Sequence, residues 1–530
     1  MTTLDLTRPA QLSFALLPDL VLMGGAMLLL VWAAWRRESA AHQRRVGLAC
    51  IALAVITLGV VGYMAHGVGF EATTGPIAVD NFRWLMDVVI LLGTIFTIAL
   101  AVDDNDRTGI TAPESHVLVL LASSGMMLLA GARDLMVVFL GIELMSISVY
   151  ALAAMNRRSE RSAEGALKYF LLGAFSTAFL LYGMALVYGA TGATSLPLIG
   201  QRILAMGLAS SPLLAAGLGL MLVGFGFKVA AVPFHMWAPD VYDGAPSPIT
   251  GYMAATVKTA AFAAFLRVWL EAFPAAMGLW HPVLSGLAIA TMIIGNAIGL
   301  RQLNIKRMLA YSSIGHAGYI AVAIAAGTFE GSQAMVFYLF AYTLATFGAF
   351  AVICAVAREG EGTVMMKDLD GLWSVRPWLA FGMSVVMLSL LGFPIFGGAG
   401  FVAKWYILRA AIQSPVSQTA LIVVLVLTTV VSAGYYLRVV MAMFMQSRAE
   451  DVPQPLPTGG WTRGVLVLCV SLLLILGILP GLVLPVTSRA RPVVVTYDSP
   501  GRALAAGATN VAVAEPGAPP GIAADLRGIR

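Results

Sequence analysis

Charge is scarce in this chain: Asp, Glu, Lys and Arg make up 11% of its 530 residues, whereas 59% are hydrophobic and the mean hydropathy is +0.87. Soluble domains carry roughly 25% charged residues, so a soluble globular fold is excluded and the chain is an integral membrane protein. Cysteine is scarcer still. Cys50, Cys354 and Cys469 lie far apart, each inside an apolar run. That excludes a CxxC metal site or an iron–sulfur cluster held by this chain alone, and it predicts buried structural thiols. The sequence lacks a P-loop, a dinucleotide fingerprint and a haem motif, so it shows no energy source of its own. A net charge of +5 without a dense basic patch gives no reason to expect nucleic acid as a partner.

What the chain has in abundance is long apolar runs. A spanning helix needs about 20 apolar residues, and reading from one polar break to the next predicts about fourteen of them, near 16–35, 46–65, 83–102, 115–132, 134–155, 168–190, 212–237, 248–272, 279–300, 306–326, 333–357, 377–409, 418–446 and 463–485. The first is too long for a signal-peptide core and has no early basic stretch, so it reads as a retained span. After residue 486 the tail is rich in Ala, Gly and Pro and is expected to be disordered. Basic residues set the orientation. With the N-terminus outside, the cytoplasmic loops hold Arg44, Arg45, Arg107, Arg157, Arg158, Arg161, Arg301, Lys306, Arg307, Arg358, Lys367 and Arg376, among others, and the opposite loops hold Arg83, Arg133 and Arg202. Both termini are therefore expected on the periplasmic side of a bacterial inner membrane.

Lysine is the rare base here, with six residues against 26 arginines, and Lys228, Lys258 and Lys404 fall well inside apolar segments. A desolvated lysine can lose its proton near neutral pH, whereas a guanidinium stays charged almost anywhere. Each such group costs roughly 2.5–3.5 kcal/mol at a helix centre on insertion scales, which argues for a function. Glu143 is the acid at matching depth, and a Glu143–Lys228 pair could hold both charges until separation releases a proton. The alternative is a static buried ion pair that fixes packing. His235 follows Lys228 by seven residues, which on a continuous helix puts both on nearly one face and suggests a relay toward Asp240 and Asp243. His316 is a similar candidate, while His42, His66, His116 and His281 are expected at interfaces.

Pro233 after Lys228, and the Gly- and Pro-rich stretch 391–400 before Lys404, predict interrupted helices. Paired interruptions point to an inverted repeat. Lys228 and Lys404 lie five segments apart, so segments 4–8 and 9–13 would be inverted copies: 1–112 forms three leading helices, 113–275 and 276–447 the two repeats, 448–486 a last span and 487–530 the tail.

The stretches Gly141-Ile-Glu-Leu-Met-Ser146, Ala166-Leu-Lys-Tyr-Phe-Leu-Leu-Gly-Ala-Phe175, Phe227-Lys-Val-Ala-Ala-Val-Pro-Phe-His-Met-Trp-Ala-Pro-Asp240, Tyr242-Asp-Gly-Ala-Pro-Ser-Pro248 and Ile305-Lys-Arg-Met-Leu-Ala-Tyr-Ser-Ser-Ile-Gly-His-Ala-Gly-Tyr319 resemble the antiporter-like subunits of proton-pumping NADH:quinone oxidoreductase, respiratory complex I. The resemblance covers nearly the whole chain and is strongest to the subunit N branch. It implies that Glu143 and Lys228 are a coupled pair, Lys258 the central relay, Lys404 the terminal transfer site, and Lys168 and His235 further members. Lys404 differs from the glutamate usual in subunit M, and no long amphipathic helix follows the last span, unlike subunit L. The family also implies that NADH, FMN, iron–sulfur clusters and quinone reside in partner subunits, with none in this chain, and that its neighbours are antiporter-like subunit M and the small subunits J and K. Competing readings are a subunit of a sodium/proton antiporter or membrane-bound hydrogenase, and a membrane scaffold with static charge pairs.

Overall fold

The computed structural model describes residues 4–35, 39–67, 75–357, 364–394, 398–448, 455, 457–487, 495–498 and 502–505. In chain order the helices are α1 (Pro9–Ala15), α2 (Leu17–Trp35), α3 (Ala40–Gly67), α4 (Asn81–Thr108), α5 (Glu114–Ala130), α6 (Leu135–Ala153) and α7 (Glu160–Thr191). There follow α8 (Leu196–Ala205), α9 (Pro212–Val229), α10 (Trp237–Gly244), α11 (Ser247–Tyr252), a π-helical turn (Met253–Val257), α12 (Lys258–Ala272), α13 (Met277–Gly299) and α14 (Ile305–Ala325). The last are α15 (Phe329–Val356), α16 (Leu372–Val375), α17 (Pro377–Leu391), α18 (Gly398–Ile412), α19 (Thr419–Met445), α20 (Gly460–Ile478) and α21 (Leu484–Thr487). The expected disordered tail lies mostly outside the described residues; within it Val495–Asp498 and Arg502–Ala505 form a short antiparallel ribbon.

Among the described residues, twelve helical stretches are long and apolar enough to cross a membrane, and α5 and α17 are shorter apolar helices. The chain is an all-α polytopic membrane protein. The stretch α11–α12, with α14 and α15, is buried along nearly its whole length, whereas fewer than half of the residues in the apolar stretches of α2, α3, α7, α13, α19 and α20 are buried. The core therefore sits where Lys258 and His316 are, and the periphery presents Leu28, Phe175 and Val430 to hydrocarbon or to a neighbour.

Small residues set the closest helix contacts, because lipid supplies no hydrophobic drive and only short side chains let backbones approach. In the α5–α6 hairpin a Cβ on Gly125 would come within 2.6 Å of the Met145 amide nitrogen; in the α13–α14 hairpin a Cβ on Gly295 would come within 2.6 Å of the Gly315 nitrogen. Gly125→Val is therefore expected to destabilise by about 1–3 kcal/mol, read as a lower temperature at which the assembled complex loses the subunit.

Each of these hairpins leads into a matching polar clasp. Asp134 caps α6 through the Met136 amide, and the chain there bridges to Ser195, with Leu135 N bonded to Thr194 O and Leu196 N to Arg133 O, both at 2.9 Å. Asn304 caps α14 through the Lys306 and Arg307 amides and bridges to Met365, with Ile305 N bonded to Val364 O at 2.9 Å and Met366 N to Leu303 O at 2.8 Å.

Two of the expected spans are interrupted. Segment 212–237 ends as a helix at Val229: Ala230 adopts φ 58°, Pro233 has no amide to donate, and Val232 N finds Thr291 Oγ1 at 2.9 Å. Segment 377–409 divides into α17 and α18 after Gly392, whose φ of 81° suits glycine.

Candidate functional site

Lys228 occupies the last turn of α9, where the unsatisfied carbonyls of a helix C-terminus favour a cation. Its Nζ donates to Ser146 Oγ at 2.7 Å and to Tyr150 Oη at 3.3 Å. Both hydroxyls come from α6, one and two turns beyond half-buried Glu143, and so share its face. Among the described residues no ion pair joins Glu143 to Lys228; the hydroxyls stand where the sequence suggested a carboxylate.

Lys258 follows the π-helical turn and is fully enclosed, with Nζ bonded to Ser313 Oγ at 2.6 Å and to Ser313 O at 2.8 Å. Tyr342 Oη donates to the same Ser313 hydroxyl at 2.8 Å. His316, one turn along α14, has Nδ1 2.6 Å from Tyr338 Oη and Nε2 3.0 Å from Tyr436 Oη, and Tyr436 in turn bonds Ser312. Lys404 donates to Leu391 O at 2.9 Å, the carbonyl that the break between α17 and α18 frees, and its ammonium lies 4.7 Å from the centroid of the Tyr319 ring. A cavity of about 10 Å³, enough for about one water, is lined by both His316 and Lys404. Ser312, Ser313, His316 and Tyr319 recur on α14 at intervals of one, three and three residues, so this one helix joins the Lys258 group to the Lys404 group.

Lys168 and His235 are placed otherwise. Lys168 is partly exposed, bonded to Glu164 Oε1 at 2.6 Å and Asp240 Oδ2 at 2.9 Å, and Asp240 also takes Arg307 at 2.8 Å. Burial pushes the Asp240 carboxyl up, but the hydrogen bonds from Lys168 and Arg307 outweigh it and hold the group below the usual carboxylate range. His235 is half-buried in the turn between α9 and α10. The expectation that it shares a helix face with Lys228 is corrected: the helix stops at Val229, before the seven-residue register can apply.

Three further corrections concern residues assigned to loops or interfaces. Lys306 is fully buried, with Nζ bonded to Ala245 O at 2.6 Å beneath a cleft of about 860 Å³ lined by Asp104, Asp243, Asn304 and Lys367. His116 is enclosed rather than interfacial. Arg83 and Arg133, counted as loop residues, are buried with Arg267, and Glu143 is joined at depth by Asp87, Asp104 and Glu271. Hydropathy cannot distinguish a charge in a loop from one folded inward and paired. The serine and tyrosine partners were also missed, since hydroxyls are too weakly polar to interrupt an apolar run.

Residues 132–432 match the family model described as NADH:quinone oxidoreductase/Mrp antiporter, TM. Subunit N of the NADH-quinone oxidoreductase of Gemmatimonas aurantiaca is 49% identical over 484 residues, 90% of this chain and 93% of that protein. The corresponding subunit N 2 of Roseiflexus castenholzii is 44% identical, with 87% and 92% covered. Among solved structures, a chain of respiratory complex I from Thermus thermophilus with bound aureothin is 38% identical and superposes with a TM-score of 0.75 over 88% of this chain and 98% of that one. A chain of the Mrp complex from Dietzia, 22% identical with a TM-score of 0.76 over 89% and 97%, shares the fold. The chain belongs to the family of NADH-quinone oxidoreductase subunit N, the antiporter-like subunits of the complex I membrane arm.

Proposed function

We propose that this subunit translocates protons across a bacterial inner membrane, driven by NADH oxidation and quinone reduction in partner subunits, while holding no redox cofactor itself. The observation that carries this reading is the α14 array, in which Lys258, His316 and Lys404 each contact a side chain or backbone group of one buried helix or of the elements packed on it. Lysine suits the task because its charge state can change, and serine and tyrosine hydroxyls pass a proton because each donates and accepts.

Uptake begins at the arginine-rich end, where the cleft over Lys306 admits water to buried acids and bases. Lys228 exchanges with Ser146 and Tyr150, and Glu143 on the same helix face modulates its charge from within electrostatic rather than hydrogen-bonding reach. Among the described residues the hydrogen bonds of Lys228 and Lys258 do not meet, so water completes that step. The matched glycine hairpins, the two clasps and the two helix breaks support an inverted pair of units at 113–275 and 276–447. The neighbours in this reading are subunits M, J and K, and both termini face the periplasm.

Lys228→Ala and, separately, Lys404→Ala test the proposal in native membrane vesicles. With assembly verified, NADH-driven quinone reduction and proton uptake are expected to fall together. Wild-type pumping per electron in either assembled variant counts against a transfer role for that lysine.

A further inference from the structure

Away from the relay, the end of the bundle opposite the arginine-rich loops encloses a second set of charges. Four carboxylates and three guanidiniums meet there: Asp19 from α2, Asp80, Arg83 and Asp87 at the start of α4, Arg133 ahead of α6, and Arg267 and Glu271 from α12. The pairing is nearly complete. Arg267 holds Asp80 through two bonds at 2.7 and 2.9 Å, Arg133 Nε holds Glu271 at 2.9 Å, and Arg83 Nη2 holds Asp19 at 2.5 Å. Asp87 is left over. Its side chain has no exposed surface, neither carboxyl oxygen has a hydrogen-bond partner, and its nearest cation is Arg83 Nε at 3.6 Å, itself without a hydrogen-bond partner.

A fully enclosed carboxylate with no hydrogen bonds, in a cluster whose three cations already have three anions, is disfavoured as an ion and takes up a proton. Hydroxyls lead from there toward the core. Thr94, two turns along α4 from Asp87, lies 2.5 Å from Ser123 Oγ, and Ser123 lies 2.5 Å from Tyr252 Oη. Tyr252 immediately precedes the π-helical turn that carries Thr256, whose hydroxyl has no hydrogen-bond partner and packs against Gly93, and Lys258 immediately follows that turn.

We propose that Asp87 carries a proton in place of a fourth cation and exchanges it with the Lys258 region through Thr94, Ser123, Tyr252 and Thr256, so that the charge cluster is a second proton store for translocation. This rests on the translocation reading above. In the exchange the Asp87 O–H bond breaks as its proton passes to a hydroxyl or an intervening water, which hands on its own. The carboxylate left behind faces the vacant Arg83 Nε–H.

The test is Asp87→Asn in the membrane-bound complex, beside Lys228→Ala. Asparagine copies a neutral carboxyl in shape, so the complex is expected to assemble, to lose an infrared carbonyl band of a protonated carboxylic acid that the native complex shows, and to pump fewer protons per electron. Unchanged stoichiometry in Asp87→Asn, alongside a defect in Lys228→Ala, overturns this inference and leaves the relay standing. Failure of Asp87→Asn to assemble, or a native spectrum without the band, means that Asp87 is ionised and also overturns it. An unaffected Lys228→Ala instead removes the Lys228 step of the translocation reading on which it rests.

Discussion

Lys258→Arg is expected to abolish coupled quinone reduction as thoroughly as Lys258→Met, each by about 100-fold or more, the scale on which a positioned acid or base contributes to proton transfer. The two substitutions fail for different reasons. Methionine fills the volume but carries no proton. Arginine keeps the charge and could bond Ser313, now 2.6 Å from the ammonium, yet it cannot give its proton up. A purely structural lysine would behave differently, because its role is a cation bonded to Ser313 and arginine would preserve much of it. Quinone reductase activity and proton uptake in assembled Lys258→Arg complex decide the matter: activity near the native level means the proton of Lys258 does not move in turnover.

Arg267→Leu is expected to remove the subunit from the membrane. The guanidinium has no exposed surface and holds Asp80 twice, Glu271 at 2.9 Å and the Ala130 carbonyl at 3.2 Å. Removing one partner of a buried pair costs about 3–5 kcal/mol, and here Asp80 loses its counter-charge, while Glu271 keeps its bond from Arg133. A domain stable by about 5–15 kcal/mol in total does not tolerate that. The measurement is the amount of subunit in isolated membranes. Combining Arg267→Leu with Asp80→Asn relieves the stranded charge and is expected to restore part of it. Normal accumulation of Arg267→Leu alone contradicts the view that this network ties α4 to α12.

The residues of the proposed relay are legible where chemistry and hydropathy disagree. A lysine within an apolar run violates the pattern, and that violation marked Lys228, Lys258 and Lys404. Glycine and proline marked the breaks for the same reason. Arg267 and Glu271 violate the pattern too, but they lie in the last turns of segment 248–272, where a charge near the end of a span is ordinary. Their pairing with Asp80 and Arg133 spans well over a hundred residues of sequence, and nothing local announces it. His235 was misplaced because a seven-residue spacing has meaning only on an unbroken helix, and the same Pro233 that signals the break removes the register. The hydroxyls of Ser146, Ser313, Tyr338 and Tyr436 gave no signal, being compatible with either a packed core or a polar path.

The two interrupted helices give the proposed relay a mechanical side. Lys228 lies in the final turn of α9, and Lys404 caps the final carbonyl turn of α17, so in both places the proposed proton carrier is also the plug on an open helix end. A cation at such an end stabilises it by about 0.3–1 kcal/mol, up to about 2 kcal/mol when partly buried. When the amine becomes neutral, its hydrogen bond can persist, but that charge–dipole attraction goes. Every protonation event is thereby felt as tightening or loosening of a hinge, and a push on the hinge from a neighbouring subunit alters the affinity for the proton by the same free energy. Transmission along a membrane arm then needs no dedicated lever: the joints themselves respond to charge.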